Sequence, residues 1–289
     1  MMRVVWERRF VRMKRIVSIQ DISAVGKCSL TVALPIVSAC GVECAVMPTA
    51  VLSTHTQFSG FTFHDLTGEM EPIAAHWKKE GLGFDAIYTG YLGSFEQLRL
   101  VSDFVENFRG ENTVVVMDPA MADNGKLYYG FTPEFALAMG RLCGKADLVI
   151  PNLTEAYFML GEPYKAEYTK ETIQALLKRI CALGAKKAAM TGVSYKEGEI
   201  GVELYDSETD RFFSYFGERV PASFHGTGDI FASATVGSLT RGFTVEEALK
   251  VAVDYTAECI RKTMADPNAV FYGVNFEEAI PYLIRRLGD

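Results

Sequence analysis

Residues 225–229, HGTGD, combine residue types that together handle phosphate, and an apolar run without helix breakers follows them. Glycines at 226 and 228 allow a turn whose backbone N–H groups point the same way. A helix that begins there adds its own unpaired N–H groups and the positive end of its dipole. The segment therefore predicts an anion site suited to a phosphate group.

Asp229 argues for phosphoryl transfer rather than phosphate storage, because a carboxylate repels a resting phosphate. On this interpretation Gly226, Thr227 and Gly228 form an anion hole, and Asp229 orients and deprotonates the attacking alcohol. We expect the positive helix terminus to keep Asp229 ionised. A structural alternative stays open, in which Asp229 caps the helix and the glycines make a tight turn. No GxxxxGK[ST] segment is present, which argues against a P-loop mechanism.

The overall composition limits the class of protein. The 289 residues are 49% hydrophobic and 22% charged, as in ordinary globular proteins. A net charge of -7 argues against a nucleic-acid-binding protein. No apolar run is long enough to cross a membrane. The six scattered cysteines lack the spacing of a metal site and predict reduced thiols in a cytosolic protein.

Apolar, β-branched runs alternate with longer amphipathic segments between residues 15 and 192. This alternation predicts a three-layer α/β/α fold with a mostly parallel central sheet. Residues 198–218 consist of two strand-like runs around DSETD, which predict a β-hairpin at one edge of the sheet. We expect residues 13–289 to form a single domain and residues 1–12 to be a disordered or extra extension, since the first strand follows Met13.

Polar and turn residues recur where each predicted strand ends. In a parallel sheet these positions converge on one edge, where ligands bind. The candidate strand ends are Gln20–Asp21, Pro48–Thr49, Thr89–Tyr91, Asp118–Pro119, Pro151–Asn152 and Thr191–Gly192.

The chain resembles the ribokinase superfamily, in which GTGD opens a late helix after a parallel α/β sheet. More specific segments resemble its pyridoxal/pyridoxamine kinase branch, and the resemblance extends from about residue 14 to the C-terminus. The segments are LSTHTQF (52–58), GYLGSFEQ (90–97), DPAMADNGKLY (118–128), PNLTEA (151–156) and MTGV (190–193).

The resemblance implies an ATP-dependent kinase that phosphorylates the 5′-hydroxymethyl group of pyridoxal, pyridoxamine or pyridoxine. It implies Mg²⁺ as a cofactor, leaves a monovalent cation open, and implies a cytoplasmic homodimer with no nucleic-acid or membrane partner.

The resemblance also implies roles for individual residues. Asp229 would be the catalytic base, Asp118 and Glu155 would face the metal, and residues 121–128 would cover the nucleotide phosphates. The nucleotide and its phosphates would further contact Asn152, Thr191 and Gly192, and the vitamin would contact Thr49, His55 and Tyr91.

Several of these residues also have a purely structural interpretation. Asn152 and Glu155 suit the start of a helix. His55 suits a hydrogen-bonded structural histidine, Tyr91 suits packing at a strand end, and Asp118 before a proline suits a turn.

Asp21 departs from the family pattern, because many pyridoxal kinases have a serine there. A carboxylate beside the vitamin would alter the preference among its forms, so a hydroxymethylpyrimidine kinase or a sugar kinase of the same superfamily remains an alternative. A dinucleotide-binding oxidoreductase is disfavoured, since residues 21–29 contain one glycine and no GxGxxG. A catalytically silent vitamin-binding protein is disfavoured by the intact GTGD.

Overall fold

The computed structural model describes residues 13–222 and 224–288, so the expectation for residues 1–12 lies outside the described chain. The strands are β1 (Arg15–Val25), β2 (Glu43–Thr54), β3 (Phe63–Asp65), β4 (Ala86–Thr89), β5 (Val114–Met117), β6 (Ala122–Asp123), β7 (Lys126–Leu127), β8 (Leu148–Val149), β9 (Lys187–Val193), β10 (Glu199–Asp206) and β11 (Arg211–Glu218). The helices are α1 (Leu30–Ala39), α2 (Thr67–Lys79), α3 (Phe95–Phe108), α4 (Pro133–Cys143), α5 (Leu153–Met159), α6 (Lys170–Cys181), α7 (Thr227–Arg241), α8 (Val245–Ala265) and α9 (Phe276–Arg286).

A nine-stranded sheet in the order β11-β10-β9-β8-β5-β4-β1-β2-β3 forms the centre of the structure. The strands from β9 to β2 in this order run parallel, while β10, β11 and β3 are antiparallel additions at the two edges. β1 lies between β2 and β4, so the chain reverses its direction of progress across the sheet there. Ligands bind at such a switch point in open α/β sheets.

Alternating residues of the strands supply two separate cores. Val17 and Ile19 of β1 belong to the core under α2–α6, while Ile16 of the same strand belongs to the core under α1 and α7–α9. Val115 and Val116 of β5 divide in the same way. Because both faces are covered, apolar residues of these strands point to both sides, which is the pattern of a buried parallel sheet; β1 also contains buried polar residues, Ser18, Gln20, Asp21 and Ser23. The predicted three-layer α/β/α architecture is confirmed.

The predicted edge hairpin is also present. β10 and β11 pair in register from Glu199 with Glu218 to Asp206 with Arg211. No helix in the described ranges is long and apolar enough to cross a membrane.

β1 and β2 extend well beyond the ends of the other parallel strands, and the sequence did not predict this extension. A shift in their pairing register between Gln20 and Ile22 marks a local irregularity, after which the two strands continue to Val25 and Thr54. The antiparallel β3 pairs with the extended part of β2. The extension forms a wall above the carboxyl edge of the sheet.

Candidate active site

The start of α7 requires a glycine before it. Gly226 is the N-cap residue and has a left-handed φ of 82°. A Cβ atom there would lie 2.2 Å from the main-chain oxygen of Lys27, so no other residue fits without moving the chain. Gly228, by contrast, lies inside the helix with no neighbouring atom within 4 Å of a Cβ. The first glycine therefore serves the turn, and the second leaves open space.

The N-terminus of α7 offers free hydrogen-bond donors. Its first intrahelical bond runs from the Ile230 N–H to the Gly226 oxygen at 3.1 Å. The N–H groups of Thr227, Gly228 and Asp229 therefore have no partner within the helix. Together with the helix dipole they form the predicted anion-binding terminus.

Two cavities flank this terminus. Thr227 and Gly228 line a cleft of about 260 Å³ on one side. Asp229 lines a cavity of about 420 Å³ on the other, which we call the acceptor cavity; it is also lined by Asp21, Ser23, Cys28, Ser29, Leu52, His55, Thr56, Phe61, Phe63, Tyr91, Ala120, Tyr128, Tyr129 and His225. A group held by the helix N-terminus can thus meet a molecule in either cavity.

Asp229 is held in place from the β1–α1 connection. The Ser29 backbone N–H donates a hydrogen bond to its carboxylate. Ser29 has a φ of 53°, unusual for a residue other than glycine, and this strained backbone turns its N–H toward the carboxylate.

Burial is the main cause of a raised pKa at Asp229, and the charge of Asp21 raises it further, to about 7. The helix terminus was expected to keep Asp229 ionised, but burial outweighs the favourable charge and places the pKa of Asp229 near 7, so the carboxylate is only partly ionised at neutral pH. A pKa near neutrality suits a general base at physiological pH.

Asp21, His55 and Tyr91 lie together in the acceptor cavity, as the sequence predicted. Asp21 belongs to the extended part of β1 and is 4% exposed. Its Oδ2 accepts a hydrogen bond from the Ser23 hydroxyl at 3.1 Å. The Tyr91 ring stacks on Phe131 at 5.4 Å between ring centroids.

Thr49 is not among the residues that line the acceptor cavity. It is 1% exposed, and its carbonyl accepts hydrogen bonds from the Gln97 side chain and the Leu66 N–H. Thr49 lies where β2 is still covered by neighbouring elements, and the part of β2 that reaches the cavity begins further along the chain at Leu52.

Both nitrogens of His55 are occupied, which fixes a neutral ring. Nε2 lies 3.0 Å from the Tyr272 carbonyl and must carry the proton. Nδ1 accepts from the Gln57 N–H at 3.1 Å. Burial lowers the pKa of His55, and burial together with His55 lowers the pKa of the adjacent His225 to about 4. The two rings, 4.4 Å apart between centroids, are therefore neutral at pH 7.

Asp118, directly after β5, and Glu155, in the first turn of α5, form a second acidic group. They are 8% and 3% exposed. Burial, then the charges of Glu155 and Asp229, holds the pKa of Asp118 well above its usual range. Burial also raises the pKa of Glu155 to about 7. Buried carboxylates of this kind suit a metal cation that binds through oxygen atoms. Within the described residues, no group of three or more His, Cys, Asp or Glu forms a ready-made metal site.

The structural interpretation of Asn152 and Glu155 is confirmed, since they form a capping box at the start of α5. Asn152 Oδ1 accepts from the Glu155 N–H at 2.9 Å, and Glu155 Oε2 accepts from the Asn152 N–H at 2.8 Å. Glu155 Oε1 also accepts from the Met121 N–H at 3.1 Å. The box therefore ties α5 to the segment that follows β5.

Residues 121–128 form a small hairpin of β6 and β7. Asn124 and Gly125 at its turn have φ of 50° and 76°, as a tight hairpin turn requires. The Gly125 N–H donates to the Thr154 hydroxyl at 3.0 Å, and the Asn152 side chain donates to the Ala122 carbonyl at 2.8 Å. The start of α5 thus holds this hairpin against the sheet edge.

Thr191 and Gly192, which the resemblance assigns to the nucleotide, line the cleft on the other side of α7. Most of its remaining lining is apolar: Ile200, Val220, Phe224, Phe231, Val253, Ala257 and Ile260. The sequence analysis missed these residues. The spacing of Val253, Ala257 and Ile260 on α8 shows one apolar helix face, but periodicity cannot distinguish a cleft wall from a core.

The sequence analysis also missed several residues that line the acceptor cavity. His225 stood in the HGTGD segment but was given no role. Tyr128 and Tyr129 are 39% and 99% exposed. Tyr128 is the last residue of the 121–128 segment, which the resemblance assigned to the nucleotide phosphates, and its place in the acceptor cavity was not predicted. Two adjacent tyrosines after an Asn-Gly turn were the available signal.

Comparisons with known proteins show which family and which fold the chain is similar to. Residues 34–272 match the model of the family described as phosphomethylpyrimidine kinase. The Bacillus subtilis pyridoxine kinase is 31% identical over 189 residues, covering 64% of this chain and 66% of that protein.

Two solved structures are similar over nearly the whole chain. A phosphomethylpyrimidine-kinase-like protein from Bacteroides thetaiotaomicron, in a crystal form with pyridoxal, is 40% identical with a TM-score of 0.89, covering 94% of this chain and 96% of that one. The pyridoxal kinase of Lactobacillus plantarum is 29% identical with a TM-score of 0.86, covering 95% and 98%. The ribokinase-like fold is thereby confirmed, and the chain belongs to the phosphomethylpyrimidine kinase family.

Proposed function

We propose that this protein is an ATP-dependent kinase that phosphorylates the 5′-hydroxymethyl group of vitamin B6 compounds. One observation carries the proposal: the donor-rich N-terminus of α7 lies between two cavities, with Asp229 facing one and Thr227 and Gly228 facing the other. A phosphoryl group that passes from a nucleotide to an alcohol needs this arrangement, since donor and acceptor must approach it from opposite sides.

Asp229 acts on the acceptor alcohol. An alcohol is too weak an acid to ionise beforehand, so Asp229 orients the hydroxyl and accepts its proton as the phosphoryl group is transferred. The hydrogen bond from Ser29 fixes the direction of the carboxylate. The N–H groups of Thr227 and Gly228, which have no partner within the helix, stabilise the charge on the phosphoryl group, and Gly226 makes the turn that places them there.

ATP binds in the cleft between α7, α8 and the β10–β11 hairpin. The apolar side chains of Val220, Val253 and Ile260 offer a surface for the adenine ring. Thr191 and Gly192, at the end of β9, border the nucleotide, and the phosphates extend toward Gly228. The absence of a side chain at Gly228 leaves room for them.

Asp118 and Glu155 are the residues that would hold Mg²⁺, which would neutralise charge on the nucleotide phosphates. The donor set suits this ion, because Mg²⁺ binds few protein carboxylates and completes its coordination with phosphates and waters. Asn152 keeps Glu155 in place through the capping box. The 121–128 hairpin covers the phosphates from above.

We further propose that residues 13–289 act as one kinase domain in a cytoplasmic homodimer. The six cysteines are all free, which suits a reducing compartment.

The test is ATP-dependent phosphorylation by the purified protein with Mg²⁺, in Na⁺ and in K⁺ buffers. The panel contains pyridoxal, pyridoxamine, pyridoxine, hydroxymethylpyrimidine and ribose. We expect the three vitamin forms to be the better substrates. Activity on hydroxymethylpyrimidine or ribose alone would retain the kinase but overturn the assigned acceptor.

A further inference from the structure

Two acids, Asp21 and Asp229, line the acceptor cavity, and its described lining residues include two histidines but no lysine or arginine. Lys27, on the nearby β1–α1 connection, directs its ammonium to Asn275 at 3.2 Å and to Glu277 at 2.9 Å. No cation of the lining therefore balances the acids.

The two histidines do not supply the missing charge. His55 donates from Nε2 to Tyr272 and accepts at Nδ1 from Gln57, so a second proton would break the latter bond. His225 lies against His55 with 4.4 Å between ring centroids, where two positive rings would repel. The cavity thus has a negative character that a cationic acceptor would neutralise.

The ring chemistry of the vitamin indicates which substituent meets Asp21. When the 5′-hydroxyl faces Asp229, the substituent on the adjacent carbon 4 is the next group along the ring. Asp21 is close enough to Asp229 for its charge to act on that carboxylate. The carbon-4 substituent is a protonated aminomethyl group in pyridoxamine, an aldehyde in pyridoxal and a hydroxymethyl group in pyridoxine.

We propose that Asp21 binds the 4′-ammonium group and makes pyridoxamine the preferred acceptor of this kinase. The inference depends on the proposed function, because it assumes that Asp229 receives the 5′-hydroxyl. Asp21 is anchored for this task by Ser23, whose hydroxyl donates to its Oδ2. At 4% exposure it competes little with water for the ammonium.

The experiment compares kcat/KM for the three vitamin forms in the wild type, Asp21→Asn and Asp21→Ser. For the wild type we expect pyridoxamine to exceed pyridoxal and pyridoxine by about tenfold or more. Asp21→Asn lowers kcat/KM for pyridoxamine about 10- to 100-fold, the usual worth of a charge-assisted hydrogen bond. The ratio of kcat/KM for pyridoxal to kcat/KM for pyridoxine should change by less than about threefold. Asp103→Asn, which removes a carboxylate on α3 with 49% exposure, is the matched control and leaves all ratios unchanged.

The readout is the ratio of the kcat/KM values for the different substrates, because Asp21 also affects Asp229. Removal of its charge alters the catalytic base, and that effect falls equally on every acceptor. An equal loss for all three forms, or a wild type that prefers pyridoxal, would overturn the proposal. Dissociation constants of pyridoxamine and pyridoxal without ATP, followed by vitamin absorbance, should show the same selective loss in Asp21→Asn.

The failure of the proposed function would look different. A wild type that phosphorylates none of the three forms would refute the B6 kinase itself, and the inference with it. A wild type that phosphorylates them without discrimination would retain the kinase and refute only the role of Asp21. If Asp21→Asn does not fold, Asp21→Ser and the preference of the wild type decide the question.

Discussion

At the scale of single residues, the site depends on carboxylates whose pKa values are raised. Asp229, Glu155, Asp118 and Asp21 are all shifted upward, with burial as the first cause in each case. Because desolvation outweighs the hydrogen bonds that these four acids accept, their charged forms lower the stability of the folded protein. Such a loss of stability is expected in a site that binds cations. The raised pKa of Asp229 leads to two predictions.

The first prediction concerns activity and pH. Asp229 must be ionised to accept a proton, and its pKa is about 7. For the free enzyme, kcat/KM should therefore rise with pH through an apparent pKa near 7 and level off above it. The measurement is initial rates at subsaturating vitamin between pH 5.5 and 8.5, and a flat profile over that range would contradict the assignment.

The second prediction concerns stability. A raised pKa means that the folded chain binds the Asp229 proton more tightly than the unfolded chain, so stability falls as pH rises from the unfolded value of 3.8 toward 7. Asp229→Asn keeps an oxygen for the Ser29 N–H and removes this loss. The variant should be more stable than the wild type by roughly 1–4 kcal/mol at pH 8.

The difference in melting temperature between Asp229→Asn and the wild type should shrink as pH falls to 5. Thermal unfolding at several pH values measures it, with Asp103→Asn as the control for an exposed carboxylate. A variant that melts below the wild type at pH 8 would show that Asp229 stabilises the fold as a helix cap.

At the scale of elements, the β1–α1 connection and the start of α7 fit together as one unit. The Lys27 carbonyl oxygen occupies the space that a Cβ atom at position 226 would need, and the Ser29 N–H donates a hydrogen bond to Asp229. The two segments are about 200 residues apart in the sequence, and their contact depends on α1 and α7 packing side by side. Gly237 makes that packing possible, since a Cβ there would lie 2.6 Å from the Cys40 sulfur.

Gly226, directly before α7, and Gly228, in its first turn, should therefore respond differently to substitution. Gly226→Ala places a side chain at positive φ and against a backbone oxygen, so we expect a loss of at least about 1–2 kcal/mol of stability as well as activity. Gly228→Ala fills open space in a helix and should fold as well as the wild type, but it obstructs the phosphates and raises the KM for ATP. Unfolding curves and ATP kinetics of both variants provide the measurement, and normal stability of Gly226→Ala would contradict the account.

At the scale of the whole molecule, the sequence predicted the fold well, because a doubly covered sheet has a simple pattern. α3, for example, is one of the amphipathic segments between residues 15 and 192, and it begins directly after Ser94, whose side chain caps it. The β10–β11 hairpin followed from two alternating runs around a polar turn. Each of these features is local, so the residues that specify it are adjacent in the sequence.

The parts of the site that sequence could not predict are those formed by distant segments. Resemblance assigned Thr49 to the vitamin. After the irregular pairing between Gln20 and Ile22, however, β1 and β2 continue beyond the ends of the other strands, and the residue of β2 that lines the acceptor cavity is Leu52. The raised pKa of Asp229 depends on its burial and on Asp21, and neither can be read from GTGD. Resemblance to a known family identified Asp229 as the candidate base, whereas its raised pKa could be found only from the folded structure.

The central claim is that Asp229 is the catalytic base and not a structural cap. The most direct test measures kcat for pyridoxamine together with the dissociation constant of ATP in Asp229→Asn. We predict a fall in kcat of about 10²- to 10⁴-fold, the usual contribution of a general base, with the ATP dissociation constant within about threefold of the wild type. Turnover close to that of the wild type would contradict the claim.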